Sequence, residues 1–195
     1  EVLVMNLKDE WSKAAIMDAA SANPEGAMKF TVARFDRIGE CDISVLCSGG
    51  QLKEGDSPKD VLDKNIEIMD NILDETELKE SAILIATATP VDDITAHIQK
   101  KTGLPANQVI GFGGDVDKNR LLYTLKQKKL PTEGAEITGE HMKRTVPVYK
   151  GEEMYEEVAE DVRAFLSKLT AQGGRPRNLA TGLLISRLIE SIVED

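Results

Sequence analysis

Short apolar runs that alternate with amphipathic stretches constrain this chain more than any other feature of its sequence. The apolar runs lie at residues 2–5, 30–33, 43–47, 82–86 and 109–111. Helix patterns lie between or directly after them, at residues 9–22, 57–73, 90–103 and 116–127. Parallel strands need a crossover connection, and a helix usually supplies it. The alternation therefore predicts a parallel α/β sheet with helices on both faces.

The pattern changes after residue 136. Two short β-like segments surround residues 139–141 and 146–148, and two helix patterns follow at residues 152–169 and 179–193. Strands that are followed by helices, without alternation, indicate an α+β unit. We therefore predict two domains, at residues 1–111 and 112–195.

The charge balance argues against several classes of partner. The chain carries 34 acidic and 24 basic residues, which gives a formal net charge of −10. Nucleic acids and anionic membranes both bind basic surfaces, so neither is expected as a partner. No apolar stretch approaches the roughly 18 residues that a membrane-spanning helix needs. We expect a soluble, cytoplasmic protein.

The two cysteines, Cys41 and Cys47, lie on or beside one predicted strand. A disulfide between them is geometrically unfavourable there, so we predict two reduced thiols. No Cys-x-x-Cys motif and no cluster of cysteine with histidine indicates zinc, and no metal site is predicted.

Polar loop residues are the candidate functional groups, because ligands in open α/β sheets bind beyond the carboxyl ends of the strands. Residues 48–50 (Ser-Gly-Gly) follow the third apolar run, and His141 follows a β-like segment. Asp117 and Arg120 are three positions apart at a helix start. Taken singly, each has an ordinary structural explanation as a turn, a solvated loop histidine or a helix-surface ion pair. His97, within a helix pattern, is interpreted as a surface residue.

Taken together, the order and spacing of these groups are more specific. The chain contains Thr-Pro-Val-Asp at 89–92, Asp-Lys-Asn-Arg at 117–120 and Gly-Glu-His at 139–141, with Asp-Val-Leu-Asp-Lys-Asn earlier at 60–65. This arrangement resembles the NAD-dependent lactate/malate dehydrogenase family, particularly its archaeal malate dehydrogenase branch. The resemblance covers nearly the whole chain. It implies a Rossmann-like parallel sheet with helices on both faces, joined to a truncated α+β catalytic domain.

The resemblance also implies roles for individual residues. In the family a histidine takes the hydroxyl proton of a 2-hydroxy acid, and here it corresponds to His141. Asp117 orients the imidazole and stabilises its charged form. Arg120 holds the substrate carboxylate with its planar guanidinium, and Thr89 takes the place of an asparagine that contacts nicotinamide and substrate.

The cofactor implied by the resemblance is NAD, with NADP as the alternative. The positions that correspond to cofactor contacts are Asn6, Ser48, Gly49 and Asn65. The substrate would be a small 2-hydroxy or 2-oxo acid. The family also implies a homo-oligomer, either a dimer or a tetramer.

Several positions depart from the family pattern. The 195 residues contain no Gly-x-Gly-x-x-Gly turn and, by the resemblance, lack the strand before it and the family's C-terminal end. Asn6 stands where the family has an acidic residue for the adenosine ribose. Two loop arginines, one polarising the substrate carbonyl and one recognising the second carboxylate of malate, correspond to Leu52 and Pro58. Met142 replaces the glycine that usually follows His141.

Two functional interpretations follow. The first is an NAD(P)-dependent dehydrogenase that oxidises a 2-hydroxy acid, malate in preference to lactate, with His141 as acid and base. The second is a catalytically impaired pseudoenzyme or assembly protein that keeps the fold. Loss of a charged transition-state donor costs roughly 3–4 kcal/mol, so the residues at Leu52 and Pro58 favour the second interpretation.

Overall fold

The computed structural model describes residues 1–22, 24–26, 28–50, 57–74, 76–141, 145–149, 152–153, 158–161, 164 and 179–194. The chain divides into two compact units. One comprises Glu1–Ile85 with Ala96–Ile110, and the other comprises Ala86–Thr95 with Gly111–Asp195. The predicted domain boundaries, 1–111 and 112–195, stay a prediction.

The first strand pair is formed as the apolar pattern predicts. Strand β1 (Val2–Met5) pairs in parallel with β2 (Phe30–Ala33), and helix α1 (Asp9–Ala22) connects them. The register runs from Val2 opposite Phe30 to Met5 opposite Ala33. The residues that follow the two strands therefore leave the sheet side by side at its carboxyl edge.

A second sheet has the order β3–β4–β5. Its strands are β3 (Ile43–Leu46), β4 (Ile83–Ala86) and β5 (Val109–Gly111), which are connected by α2 (Pro58–Leu73) and α3 (Val91–Thr102). Side chains with no exposed surface fill the core around these elements: Met69, Leu84, Ile85 and Ile98. Among the described residues the strands thus form two sheets here, where the sequence predicts one.

Helix α2 begins where the sequence predicts a cap. The Ser57 side chain accepts a hydrogen bond from the Asp60 backbone N–H, and the Asp60 carboxylate accepts one from the Ser57 backbone N–H. Two backbone donors at the helix start are satisfied in this way. At the other end of α3, Gly103 has a φ of +69°, which favours glycine and ends the helix.

The second unit contains an antiparallel sheet of β6 (Ala135–Thr138), β7 (Val146–Tyr149) and β8 (Glu152–Glu153). The predicted start of a helix at residue 152 is wrong. Glu152 pairs with Tyr149 and Glu153 with Val148, so backbone pairing at the sheet edge overrides the helix propensity of glutamate. Residues 158–161 are helical, and most of the predicted 152–169 segment lies outside the described residues.

Two helices complete the second unit, α4 (Gly114–Gln127) and α5 (Leu179–Glu194). Helix α4 begins two residues before the predicted 116–127, and α5 extends one residue past the predicted 179–193. A cluster of buried apolar residues packs α4 against β6: Leu121, Leu125, Ala135 and Val158. No helix in the described part of the chain is both long and apolar enough to cross a membrane. Cys41 and Cys47 are free thiols, as predicted.

Two ion-pair contacts centred on Asp70 join α2 to α3 within the first unit. His97 Nε2 lies 2.8 Å from Asp70 Oδ1, so His97 is a partner in this network and its side chain is only 27% exposed. Lys101 Nζ lies 3.1 Å from the same Asp70 oxygen and 2.5 Å from Asp74 Oδ1. Partial burial raises the pKa of the Asp70 carboxyl, but the hydrogen bonds from His97 and Lys101 outweigh it and leave that pKa below its ordinary value.

We predict that Asp70→Asn destabilises the protein at pH 7 and has no effect in strong acid. A carboxylate whose pKa is lower when folded stabilises above its unfolded pKa of about 3.9, and this contribution is lost as pH falls through the folded value. The expected loss is about 0.5–1 kcal/mol, measured by urea unfolding at pH 7 and pH 2.5. Asp18→Asn, on the exposed face of α1, is the control. An equal loss at both pH values would contradict the prediction.

Candidate active site

The carboxylate of Asp117 lies at the centre of the site. Asp117 is in the first turns of α4, and its side chain is only 7% exposed. Arg120, one turn further along the helix, donates from Nη1 to Asp117 Oδ1 at 2.9 Å. The other oxygen, Oδ2, lies 2.6 Å from His141 Nδ1. One carboxylate therefore holds the guanidinium and the imidazole at the same time.

The bond to Asp117 determines which nitrogen of His141 carries its proton. A carboxylate can only accept hydrogen bonds, so Nδ1 must donate. In the neutral imidazole the second nitrogen, Nε2, is then unprotonated and can accept a proton. The His141 side chain is 13% exposed, so it is screened from bulk water without being closed off.

Two further residues hold this arrangement. Thr145 is buried, and its hydroxyl donates to the Glu140 carbonyl at 3.3 Å while lying 3.5 Å from Asp117 Oδ2. The backbone N–H of His141 donates to Asp92 Oδ2 at 3.0 Å. Asp92 is in the first turn of α3, three residues after Thr89.

The start of α4 approaches the imidazole so closely that it admits no side chain. A Cβ on Gly113 would lie 2.6 Å from His141 Cγ and 2.8 Å from Nδ1. Real Cβ atoms essentially never come that close to another heavy atom. At Gly114, the next residue, a Cβ would meet nothing within 4 Å. Gly113 is therefore a steric requirement of the imidazole position.

The residues that the resemblance assigns to the cofactor belong to the first unit. Asn6 follows β1, and its side-chain oxygen accepts from the Leu7 backbone N–H at 2.8 Å. Asn65 is 1% exposed, and its Oδ1 accepts from the Gly50 backbone N–H at 2.6 Å. Asn65 thus fastens the turn that contains Ser48 and Gly49 to α2.

The structure brings together Asp117, His141 and Arg120, as their sequence order suggests, and adds groups that the sequence did not single out. Asp92 is part of the Thr-Pro-Val-Asp run, but nothing in the sequence shows its contact with a backbone 49 residues away. The sequence signal for Gly113 was the glycine pair before α4. The loop positions Leu52 and Met142 lie outside the described residues, and Pro58 is the first residue of α2.

Comparison with known proteins assigns the chain to a family. A family model described as the NAD-binding domain of lactate/malate dehydrogenase matches residues 1–111. The chain therefore belongs to the lactate/malate dehydrogenase family. The L-lactate dehydrogenase of Macrococcus caseolyticus is 30% identical over 158 residues, which cover 77% of this chain and 50% of that protein. The chain spans about half the length of the curated relatives it matches, or less.

Solved structures confirm the predicted Rossmann-like fold. The malate dehydrogenase of Picrophilus torridus in its apo form matches with a TM-score of 0.81 at 21% identity, covering 100% of this chain and 68% of that one. The malate dehydrogenase of Plasmodium falciparum in complex with NADH matches with a TM-score of 0.77 at 16% identity, covering 98% and 68%.

We predict that Gly113→Ala displaces the imidazole of His141 from Asp117. The new methyl group occupies space that the ring now fills, and overpacking of this kind costs about 1–3 kcal/mol. Thermal unfolding measures the cost, and a crystal structure of the variant shows the ring position.

Gly114→Ala is the matched control, because its methyl group points into open space and alanine favours a helix by up to about 1 kcal/mol over glycine. Equal melting temperatures for the two variants would show that the approach of Gly113 to His141 is not tight.

Proposed function

We propose that this protein is an NAD(P)-dependent 2-hydroxyacid dehydrogenase that oxidises malate in preference to lactate. The single observation that carries the proposal is the double contact of the Asp117 carboxylate, with His141 on one oxygen and Arg120 on the other. A proton acceptor and a carboxylate-binding cation next to each other are the two groups that oxidation of a 2-hydroxy acid requires.

His141 acts as the base. Its Nδ1–H is held by Asp117, so Nε2 faces the remaining space with a lone pair and takes the proton of the substrate hydroxyl. The positive imidazolium that results is stabilised by the Asp117 carboxylate at 2.6 Å. In the reverse direction the same nitrogen returns its proton to the oxygen of the 2-oxo acid.

Arg120 binds the substrate carboxylate in this proposal. Its Nη1 is used by Asp117, and its other N–H groups can form the paired hydrogen bonds that a planar carboxylate accepts. Thr89 lies at the end of the loop after β4 and is exposed. Its hydroxyl would contact the nicotinamide and the substrate.

A nicotinamide cofactor, when bound, accepts hydride from the carbon that carries the hydroxyl. The donor set at the strand ends of the first unit fits the polar parts of a dinucleotide. Asn6, Ser48 and the Gly49 backbone offer uncharged groups suited to ribose hydroxyls, and Asn65 fixes the turn. A Cβ on Gly50 would lie 2.9 Å from Lys64 side-chain carbons, so this turn lies close against α2.

The preference for malate rests on the resemblance to archaeal malate dehydrogenases. Family members are homo-oligomers, and we propose a dimer or tetramer in the cytoplasm for this chain as well. Neither proposal depends on the geometry of His141.

We predict that the protein binds NADH and reduces oxaloacetate faster than pyruvate. His141→Ala should lower kcat by at least about 100-fold, since a general acid or base contributes roughly 10²–10⁴-fold. NADH binding is followed by fluorescence and turnover by NADH absorbance. The chain's second histidine supplies the control, because His97→Ala removes an imidazole that is bonded to Asp70 instead.

The alternative of a pseudoenzyme or assembly protein is favoured by Leu52 and Pro58, which stand at the positions of two family arginines. Under this alternative NADH does not bind at millimolar concentration and no turnover is detected. Turnover that His141→Ala leaves unchanged would also contradict the proposed role of His141.

We predict that NADPH binds at least as tightly as NADH. Asn6 carries no charge to repel a 2′-phosphate, and Arg34 leaves β2 at the neighbouring register position with its side chain 87% exposed. Asn6→Asp should weaken NADPH binding about tenfold or more while changing NADH binding little.

Asn71→Asp, which adds the same charge on an exposed position of α2, is the matched control for that measurement. Equal weakening by the two variants would mean that overall charge, and not the group after β1, determines the preference.

A further inference from the structure

Asp92 is joined to His141 by a contact that the proton transfer itself does not use. Its carboxylate accepts the backbone N–H of His141 at 3.0 Å, across 49 residues of sequence. Both residues belong to the second unit. Asp92 is an exposed residue in the first turn of α3, so burial of its side chain does not account for its position.

The helix start explains how Asp92 is held. The first backbone N–H groups of a helix lack acceptors within the helix, and the helix dipole favours negative charge there. A carboxylate in the first turn of α3 is therefore kept ionised and near the helix end. In this place it can accept a hydrogen bond from a neighbouring segment, which here is the peptide of His141.

The segment before His141 needs such an external contact. Gly139 has a φ of +90°, a left-handed conformation that glycine adopts at little cost. The chain therefore turns sharply after β6, and local structure does not fix the direction of the next residues. The bond to Asp92 fixes the backbone of residue 141, and the bond to Asp117 fixes its ring.

A histidine that is held at its backbone and at Nδ1 keeps one side-chain conformation, and Gly113 closes the face of the ring. Release of the backbone contact would let the ring reach other rotamers, in which Nδ1 no longer meets Asp117 Oδ2. The proton would then be shared between Nδ1 and Nε2, and the base would be lost in part of the molecules.

We propose that Asp92 is a positioning residue for the acid–base histidine, holding the peptide of His141 so that Nε2 stays unprotonated and directed at the substrate hydroxyl. This inference rests on the proposed function. It also makes one rigid piece of the Thr89 segment and His141, because Thr89 and Asp92 are separated by only Pro90 and Val91.

The test compares Asp92→Ala with Asp92→Asn. Alanine removes the acceptor, whereas the asparagine side-chain oxygen can still accept the His141 N–H. Asp115→Ala removes an acid from the first turn of α4, in the same unit, and controls for the loss of negative charge at a helix start. Circular dichroism establishes that each variant is folded.

The first readout is the imidazole ¹⁵N spectrum of His141. The chain has two histidines, so a His97→Gln background leaves a single imidazole to observe. Parent, Asp92→Asn and Asp115→Ala should show the Nδ1–H form at neutral pH. Asp92→Ala should show a mixture of Nδ1–H and Nε2–H forms.

The second readout is turnover. Asp92→Ala should lower kcat by about 10–100-fold with little change in KM, because misplacement of a catalytic group by about 1 Å costs rate and not ground-state binding. Asp92→Asn should recover most of it. An unchanged imidazole spectrum in Asp92→Ala, or an Asp92→Asn variant as impaired as Asp92→Ala, overturns the positioning role.

The two proposals fail separately. A parent chain without turnover contradicts the proposed function, while its imidazole spectrum still decides whether Asp92 holds the ring. If Asp92→Ala is unfolded, Asp92→Ser, whose shorter side chain cannot span the same distance, takes its place with the same expected spectrum.

Discussion

Burial of the Asp117 carboxylate is the constraint on which the rest of the site depends. An ionised carboxylate that is removed from water costs several kcal/mol unless it is paired and hydrogen-bonded. Here Arg120 supplies the charge, and His141 supplies a second donor at 2.6 Å. The same contacts that make the buried acid tolerable therefore also select the tautomer of the imidazole and place a cation beside it. Stability and proposed chemistry are carried by one set of bonds.

The apolar face of α4 explains why Asp117 is buried at all. Asp117, Leu121 and Leu125 are spaced by four residues, so they lie on one face of the helix. The two leucines have no exposed surface and anchor that face in a core with Ala135 on β6. Continuing the face by one more turn brings Asp117 into the interior, next to the segment that follows β6. Packing thus positions the acid, and the acid positions the histidine.

Local rules predicted most of the fold. Ser57 with Asp60 gave the start of α2, and the apolar runs gave the strands to within a residue. Rules of that kind failed where pairing with distant residues decides the structure, as at Glu152, which is in a strand because Tyr149 pairs with it. The separation of β1 from β3 is another case. In the Rossmann strand order the family's first strand lies between its second and fourth, to which β1 and β3 correspond in the resemblance.

The site was predictable in its groups and not in its geometry. Spacing identified His141, Asp117 and Arg120, because each belongs to a short run with a recognisable order. It could not show that Asp92 holds the His141 peptide or that Gly113 must lack a side chain, since both depend on segments that meet only in the folded chain. All the residues that hold the imidazole belong to the second unit. Leu52 and Pro58, by contrast, precede residue 85 in the sequence, so their departure from the family pattern alters substrate recognition and leaves the proton-holding contacts intact.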